Sequence, residues 1–205
     1  MTFTQSTPPG GRCRPSSSPQ RSYRSGVIVR RGEPADAAAI AAIYNEGIED
    51  RIATFETAPR APQDVLGWTG DGAPPLVVAE DDGEVLGWAR AGEYSDRCVY
   101  DGVGEYAVYV ARGARGRGVG RTLLEALAAE AERRGYHKLL SRIFPENAAS
   151  LALARACGFR EVGVHRRHGR LEGEWKDTVV VERLIGEAAD GAIGAPSEVG
   201  GATDG

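Results

Sequence analysis

The feature that most restricts the fold is a segment rich in glycine and arginine, residues 112–121, which lies between a predicted strand and a predicted helix. The preceding run, Val103–Val110, is rich in Tyr and Val, and the run from Val119 to Ala131 has apolar residues at helical spacing. Glycines let backbone N–H groups approach an anion closely, and a helix N-terminus adds the positive end of its dipole. The segment and its arginines therefore predict a site for a phosphorylated ligand.

Two common phosphate-binding motifs do not fit this segment. A Walker A motif requires glycine at position 115 and lysine at position 121, and both positions are arginine. A Rossmann GxGxxG motif that starts at Gly116 requires glycine at 121 as well, and it belongs after the first strand of a doubly wound sheet. The pattern that fits is Arg-x-x-Gly-x-Gly, formed by Arg115, Gly118 and Gly120.

The remaining hydrophobic pattern predicts one α/β (α+β) domain with a mixed sheet rather than a strict βαβ repeat. Strands are predicted at residues 27–31, 76–80, 84–91, 103–110, 138–143, 159–166 and 175–183. Helices are predicted at residues 37–48, 63–68, from 119 to the stop signal at Gly135, and 147–157.

The two ends of the chain differ in composition from its middle. Residues 1–25 contain four arginines and no acid, whereas residues 186–205 contain four acids and no base. Both ends are rich in small and polar residues and nearly free of large apolar ones, so we predict a disordered basic tail and a disordered acidic tail. The working domain is then residues 26–185, which is long enough to build one core.

Composition also excludes several function classes. The formal charge of −4 gives no support to nucleic-acid binding, and no apolar run is long enough to cross a membrane. Three widely spaced cysteines give no disulfide framework and no metal pair, which suits a reducing cytoplasm. The pair His165-x-x-His168 predicts no metal site either, because a spacing of three along a strand points the rings to opposite faces.

The Arg-x-x-Gly-x-Gly pattern resembles the acetyl-CoA loop of the GNAT N-acetyltransferases. The same family has an Asn at the start of a following helix and a Gly-Phe pair at its end, and this chain has Asn147 and Gly158-Phe159 there. The resemblance implies a mostly antiparallel sheet that splays between strands four and five, and acetyl-CoA as cosubstrate. It implies that the pantetheine arm pairs with the backbone of strand four, where an N–H near Val110 faces the thioester carbonyl. The implied coenzyme-binding residues are Val108, Val110, Arg115, Gly116, Arg117, Gly118, Val119, Gly120, Arg121 and Asn147.

The general base is predicted at Glu105. An amine is mostly protonated near pH 7, so a proton acceptor must lie close to it. The stretch GEYAVYV around Glu105 is similar to the one that carries a glutamate in phosphinothricin N-acetyltransferases. Many GNAT enzymes have a Tyr four residues before the Gly-Phe pair that acts as general acid and protonates the leaving thiolate. This chain has Ala154 at that position, and Tyr109 is a weaker candidate for the general acid.

Three further segments, residues 43–57, 94–102 and 168–177, resemble the phosphinothricin/arsinothricin N-acetyltransferase branch. The resemblance implies a glutamate-like zwitterion as substrate and a homodimer as relatives form. Arginine suits a phosphinate or arsinate, so Arg97 and Tyr100 are the first choices for substrate binding, with Phe55 as an apolar wall. Arg90 and Arg142 are second choices.

Other functions remain open at this point. The substrate could be methionine sulfoximine, methionine sulfone or another small amino acid, and a catalytically idle acyl-CoA-binding module is a different class. Acetylation of a peptide N-terminus is a further option. The region 45–60 discriminates, because a peptide substrate needs an open groove whereas a small molecule allows an aromatic-lined cup.

Overall fold

The computed structural model describes residues 26–70 and 72–190. Within them, seven strands and four helices follow in the predicted order, and a fifth, unpredicted helix ends the described residues. The strands are β1 (Ile28–Arg31), β2 (Leu76–Asp81), β3 (Glu84–Glu93), β4 (Val103–Val110), β5 (Lys138–Ile143), β6 (Arg160–Leu171) and β7 (Glu174–Leu184). The helices are α1 (Ala37–Glu49), α2 (Pro62–Val65), α3 (Val119–Arg133), α4 (Ala148–Ala156) and α5 (Glu187–Asp190).

The strands form one mixed sheet in the order β1-β2-β3-β4-β5-β7-β6. Every neighbouring pair is antiparallel except β4 and β5, which are parallel. This parallel pair is joined over only three residue pairs, from Val103↔Lys138 to Glu105↔Leu140. Because both strands continue beyond those pairs, they splay apart. The predicted fold class is confirmed.

Helices cover both faces of the sheet and bury two apolar clusters. On one face, α1 packs against the first strands around Ile40, Val78 and Trp88, and the Trp88 indole N–H donates to the Ile40 carbonyl at 3.2 Å. On the other face, the apolar stripe of α3, with Leu123 and Leu127 fully buried, covers the middle strands and meets α4. Burying such a stripe is what stabilises an amphipathic helix in a protein.

Only a small part of the two predicted tails, at the start of the acidic tail, lies within the described residues. The basic tail, residues 1–25, lies outside the described residues. The acidic tail was predicted from residue 186, but Glu187–Asp190 forms a short helix whose Ala189 N–H donates to the Gly186 carbonyl. A Glu-Ala-Ala run favours helix, whereas glycine and proline become frequent only later in the tail. The boundary between the domain and the acidic tail stays a prediction.

The prediction that His165 and His168 point to opposite faces was wrong. Arg167 has a φ of 49°, and the pairing of β6 with β7 shifts register between His165 and Gly169. Such a bulge breaks the alternation of side chains, and the two imidazole centroids lie 4.9 Å apart. Within residues 26–70 and 72–190, no group of three or more His, Cys, Asp or Glu side chains is placed to hold a metal ion.

Candidate functional site

The splay exposes one edge of β4. The Ala111 N–H donates to the Leu86 carbonyl of β3 at 2.9 Å. Since hydrogen bonding alternates along an antiparallel pair, Val108 and Val110 direct their backbone groups away from β3, into the gap. The Val110 carbonyl there accepts from Arg115 Nε at 3.0 Å. The Val108 backbone groups and the Val110 N–H therefore face the gap, while the Val110 carbonyl is already bonded to Arg115.

A cavity of about 460 Å³ lies beside this edge and is called the loop cavity. Its walls combine β4, the segment after it, the start of α3 and one side of α4. Gly116 and Gly118 have φ values of 74° and 83°, a region where only glycine is unstrained. Gly118 is also the N-cap of α3, so unpaired N–H groups of the first turn face this end of the cavity. The predicted residues that line it are Val108, Val110, Arg115, Gly116, Gly118, Val119, Gly120, Arg121 and Asn147.

The arginines around the loop cavity have different partners. Arg115 and Arg112 each donate to Asp50 at 2.7 Å. Partial burial opposes ionisation of Asp50, but these two hydrogen bonds outweigh it and lower the pKa of its carboxyl. Arg121 lines the cavity and pairs with Glu125. Arg117 does not line it; its guanidinium lies 3.8 Å from Asp81 on the outer side.

Asn147 connects α4 to the segment that follows α1. Its side-chain oxygen accepts from the Ser150 N–H at 3.0 Å, which caps α4, and its amide nitrogen donates to the Ile52 carbonyl at 3.1 Å. Tyr109 of β4 donates its hydroxyl to the neighbouring Ala53 carbonyl at 3.3 Å. Two hydrogen bonds therefore hold the segment after α1 over the gap.

A second cavity of about 330 Å³, the Glu105 cavity, continues the gap toward β3 and β5. Glu105 lies where the pairing of β4 with β5 ends, and Arg142 of β5 forms a two-point ion pair with it, with Nε to Oε1 at 2.9 Å. This carboxylate raises the pKa of Arg142. The residues shared with the loop cavity are Ile52, Ala53, Val108, Tyr109, Asn147 and Ser150. The two cavities therefore meet at the free edge of β4.

The three residues predicted for substrate binding lie outside the Glu105 cavity. Phe55 packs edge-on against Phe144 with centroids 4.8 Å apart, and it is Phe144 that lines the cavity. Arg97 is exposed and lies over the Tyr100 ring at 5.7 Å. Tyr100 lines a separate cavity of about 300 Å³, the Tyr100 cavity, which shares Arg142 with the Glu105 cavity. Residues Cys98–Tyr100 form a 3-10 turn, and Tyr94 packs edge-on against Tyr100.

Arg90 and Arg142, the second choices for substrate binding, both line the Glu105 cavity. Arg142 is paired with Glu105, and Arg90 of β3 extends over the Trp68 ring at 4.4 Å. Burial lowers the pKa of the Arg90 guanidinium. The structure thus brings Arg90, Glu105 and Arg142 together and leaves Arg97 and Tyr100 on the other side of Arg142.

Sequence reasoning missed Asp50, although a signal was available. Glu46, Glu49 and Asp50 put three acids at the C-terminal end of α1, where the helix dipole disfavours negative charge. Such acids require cations from elsewhere in the chain. Here they meet Arg112 and Arg115 of the loop.

Two further positions lie in the core. Ala154, which stands where many GNAT enzymes carry Tyr, is fully buried and offers no proton. Cys157 is buried as well, and its burial raises the pKa of the thiol, which suits packing and not nucleophilic attack. Among the described residues, none of the helices is long and apolar enough to cross a membrane.

Comparisons with known proteins agree with this geometry. The model of the acetyltransferase (GNAT) family matches residues 40–159. A phosphinothricin N-acetyltransferase from Alcaligenes faecalis is 37% identical over 166 residues, which cover 79% of this chain and 84% of that one. An L-methionine sulfoximine/L-methionine sulfone acetyltransferase from Pseudomonas aeruginosa is 33% identical, with 75% and 92% covered.

Solved structures give the same result. A putative acetyltransferase from Salmonella typhimurium, determined with its cofactor acetyl-CoA, has a TM-score of 0.75 and 30% identity, covering 80% of this chain and 96% of that one. A phosphinothricin acetyltransferase from Sinorhizobium meliloti in complex with acetyl-CoA has a TM-score of 0.74 and 30% identity, with 84% and 97% covered. On this evidence the chain belongs to the GNAT family of acetyltransferases.

Proposed function

We propose that this enzyme transfers the acetyl group of acetyl-CoA to the α-amino group of a small glutamate-like amino acid, with phosphinothricin and arsinothricin as the leading substrates. The observation that carries the proposal is the meeting of two cavities at the free edge of β4, with Glu105 in one and the glycine loop in the other. The names of relatives such as the Alcaligenes faecalis and Streptomyces coelicolor enzymes support phosphinothricin as a substrate.

Acetyl-CoA fits the loop cavity by chemistry. Its diphosphate would bind the N–H groups around Gly118 together with Arg115 and Arg121, at the start of α3. Its pantetheine amides would pair with the Val108 backbone groups and the Val110 N–H, which adds a strand-like segment to β4. The thioester then lies where the two cavities meet.

The transfer needs no covalent enzyme intermediate. Glu105 accepts a proton from the substrate ammonium group, and the neutral amine attacks the thioester carbonyl. A backbone N–H of β4 stabilises the oxyanion as the C–N bond forms; the attacking nitrogen then gives its second proton to water as the C–S bond breaks. Because Ala154 offers no proton, the coenzyme A thiolate leaves as such and takes a proton from water, which a thiol pKa near 8.5 allows.

Arg142 balances charge during this transfer. In the resting site it neutralises Glu105 through two hydrogen bonds. When Glu105 becomes protonated, the guanidinium needs another anion, and the α-carboxylate is bonded to the same carbon as the reacting amine. Arg142 is therefore proposed to receive the α-carboxylate as Glu105 takes the proton.

Methionine sulfoximine and methionine sulfone are the second candidate substrates. Relatives from two Pseudomonas species and from Salmonella typhimurium are named for these compounds, at 30–33% identity. They share the α-amino and α-carboxylate groups, so the roles of Glu105 and Arg142 are the same for both candidates. The difference lies at the far end of the substrate, which is acidic in phosphinothricin and uncharged in the sulfone.

Two other classes of function fit less well. A ribosomal-protein-alanine N-acetyltransferase from Brucella melitensis is 35% identical with a TM-score of 0.73. In this chain, however, hydrogen bonds to Ile52 and Ala53 and the packing of Phe55 on Phe144 hold the segment after α1 over the gap, which favours a small molecule over a peptide. An idle acyl-CoA-binding module would have no need of Glu105.

We further propose that the enzyme is a cytoplasmic homodimer that acts on neither nucleic acid nor membranes. Exposed apolar side chains collect around the Tyr100 cavity: Val99 is 69% exposed, Val162 50% and Tyr94 43%. Covering them with a second copy would place another chain beside Arg97 and Tyr100. The exposed Cys98 thiol suits a reducing compartment. In sedimentation experiments the wild-type protein should be a dimer, and the double variant Val99→Asp/Val162→Asp should be a monomer. A monomeric wild-type protein would contradict the proposed homodimer.

The proposed activity is tested by following thiol release from acetyl-CoA with the purified protein. The acceptors compared are phosphinothricin, arsinothricin, methionine sulfoximine, glutamate and a short peptide. We expect the first two to be acetylated well above glutamate. Equal turnover of glutamate and phosphinothricin would overturn phosphinothricin and arsinothricin as the leading substrates. Calorimetry that detects no acetyl-CoA binding would overturn the proposed function as a whole.

A further inference from the structure

Arg90 is a cation without an ionic partner in the Glu105 cavity. Two arginines lie near the Trp68 ring, Arg60 at 5.7 Å and Arg90 at 4.4 Å. Arg60 is neutralised by Glu56 at 2.7 Å. Across residues 26–70 and 72–190, no carboxylate comes within ion-pair distance of Arg90. A half-buried guanidinium loses hydration without a compensating anion, which is costly unless a ligand supplies one.

The backbone around Arg90 leaves space for such a ligand. Gly92 lies directly opposite Glu105 in the pairing of β3 with β4. A Cβ added at Gly92 would lie 3.4 Å from Nη2 of Arg90, so the guanidinium is close to the glycine backbone. Side chains at 90 and 92 share one face of β3. Arg90, Gly92 and Glu105 all line the Glu105 cavity, so the guanidinium and the carboxylate face the same open space.

We propose that Arg90 binds the terminal acidic group of the amino-acid substrate and so determines specificity for acidic side chains. The proposal rests on the function proposed above and names the substrate class. The reacting amine must lie at Glu105, and Arg142, which touches Glu105, is close enough for the α-carboxylate. The terminal group lies a side chain's length farther away. Arg90, two positions along β3 from the glycine opposite Glu105, supplies a cation for it.

The held position of Arg90 fits this role. Stacking on Trp68 orients the planar guanidinium before any ligand arrives, which lowers the entropy lost on binding. A phosphinate or arsinate presents two oxygens that match the fork of donors. A sulfone presents two oxygens as well but carries no charge, so it leaves the desolvated cation uncompensated. Arg90 should therefore favour binding of substrates with an acidic terminal group over substrates with an uncharged sulfone.

The test compares kcat/KM for phosphinothricin and methionine sulfone in the full-length protein. Arg90→Gln should lower kcat/KM for phosphinothricin about tenfold to a hundredfold, the range for a charge-assisted hydrogen bond, and change the value for the sulfone less than about twofold. The loss for phosphinothricin should appear as a higher KM and not as a lower kcat. Arg90→Lys should restore part of the lost kcat/KM. The matched control is Arg133→Gln, at an exposed arginine that ends α3 outside the cavity, which should change kcat/KM for neither substrate.

Each alternative result has its own meaning. Equal losses with both substrates overturn the proposal, since Arg90 would then act on a group they share. An unchanged kcat/KM in Arg90→Gln, or a selective loss for phosphinothricin in Arg133→Gln, overturns it as well. Calorimetric binding of phosphinothricin to the wild type and to Arg90→Gln keeps the proposal testable if no amino acid is turned over. In that event the proposed function fails, while the Arg90 site stands only if binding is present and weakened by the substitution.

Discussion

The two cavities on either side of the β4 edge are built in different ways. The loop cavity takes most of its polar groups from one short segment and the helix it starts, residues 115–121, together with the backbone of β4. The Glu105 cavity takes its charged side chains from three separate strands, with Arg90 on β3, Glu105 on β4 and Arg142 on β5. The proposed coenzyme site is therefore a local property of the chain, whereas the proposed substrate site depends on how the strands align.

The largest effect is expected from Glu105→Gln, which keeps the shape of the side chain but removes its ability to accept a proton. We expect kcat to fall about 10²–10⁴-fold, the usual contribution of general acid–base catalysis. The KM for acetyl-CoA should change little, because Glu105 does not line the loop cavity. Steady-state thiol release measures both constants.

The control for this variant is Glu161→Gln, at an exposed carboxylate on β6 that pairs with Arg155 away from both cavities. Its kcat should match the wild type. A normal kcat in Glu105→Gln would remove Glu105 as the base and would leave the Glu105 cavity as a binding site only.

A smaller effect is expected from Gly118→Ala, which tests the loop cavity alone. Gly118 has a φ of 83°, so alanine there is strained by roughly 1–2 kcal/mol. Moving the start of α3 away from the diphosphate should raise the KM for acetyl-CoA about tenfold, which corresponds to roughly 1.4 kcal/mol. The KM for the amino acid should stay close to the wild-type value, since the two cavities are distinct at this end.

The matched control is Gly83→Ala in the turn between β2 and β3. Gly83 has a φ of 85°, and, as at Gly118, an added Cβ would meet nothing within 4 Å. Both variants should lose similar stability in thermal unfolding, but only Gly118→Ala should weaken coenzyme binding. Equal increases in KM would attribute the effect to lost stability and not to the loop.

The difference between the cavities explains what the sequence could predict. The arrangement strand, glycine loop and helix is contiguous, so Arg115, Gly118 and Gly120 could be placed from their spacing alone. The mostly antiparallel sheet and its splay between β4 and β5 came from the family resemblance, and both are confirmed. The roles of the individual loop residues remain predictions.

Side-chain placement across strands could not be predicted in the same way. Arg90 and Arg97 are seven residues apart on one stretch of sequence, yet one lines the Glu105 cavity and the other lies on the surface. Arg90 lies on β3, where the register against β4 fixes the face it shares with Glu105, whereas Arg97 lies in the loop beyond the end of β3. The bulge at Arg167, which brings His165 beside His168, is another local departure that no regular periodicity contains.

The smallest effect concerns the contact that ties the loop to α1, and it depends on pH. The Asp50 carboxyl has a lowered pKa in the folded protein because hydrogen bonds from Arg112 and Arg115 outweigh its partial burial. The stability it contributes is therefore present above the unfolded pKa near 4 and is lost as the pH falls through the lower folded value. Asp50→Asn should cost about 1 kcal/mol at pH 7, measured by urea unfolding, and this difference should shrink below about pH 4.

The control is Glu125→Gln, which removes a pair with Arg121 on the exposed side of α3 and should change stability by no more than about 0.5 kcal/mol. A loss in Asp50→Asn that stays the same at low pH would show that packing, and not charge, holds the loop to α1. If the loss does depend on pH, the acids at the end of α1 neutralise Arg115 in the absence of coenzyme. The diphosphate then has to compete with Asp50 for Arg115, so Asp50→Asn should also lower the KM for acetyl-CoA while destabilising the fold.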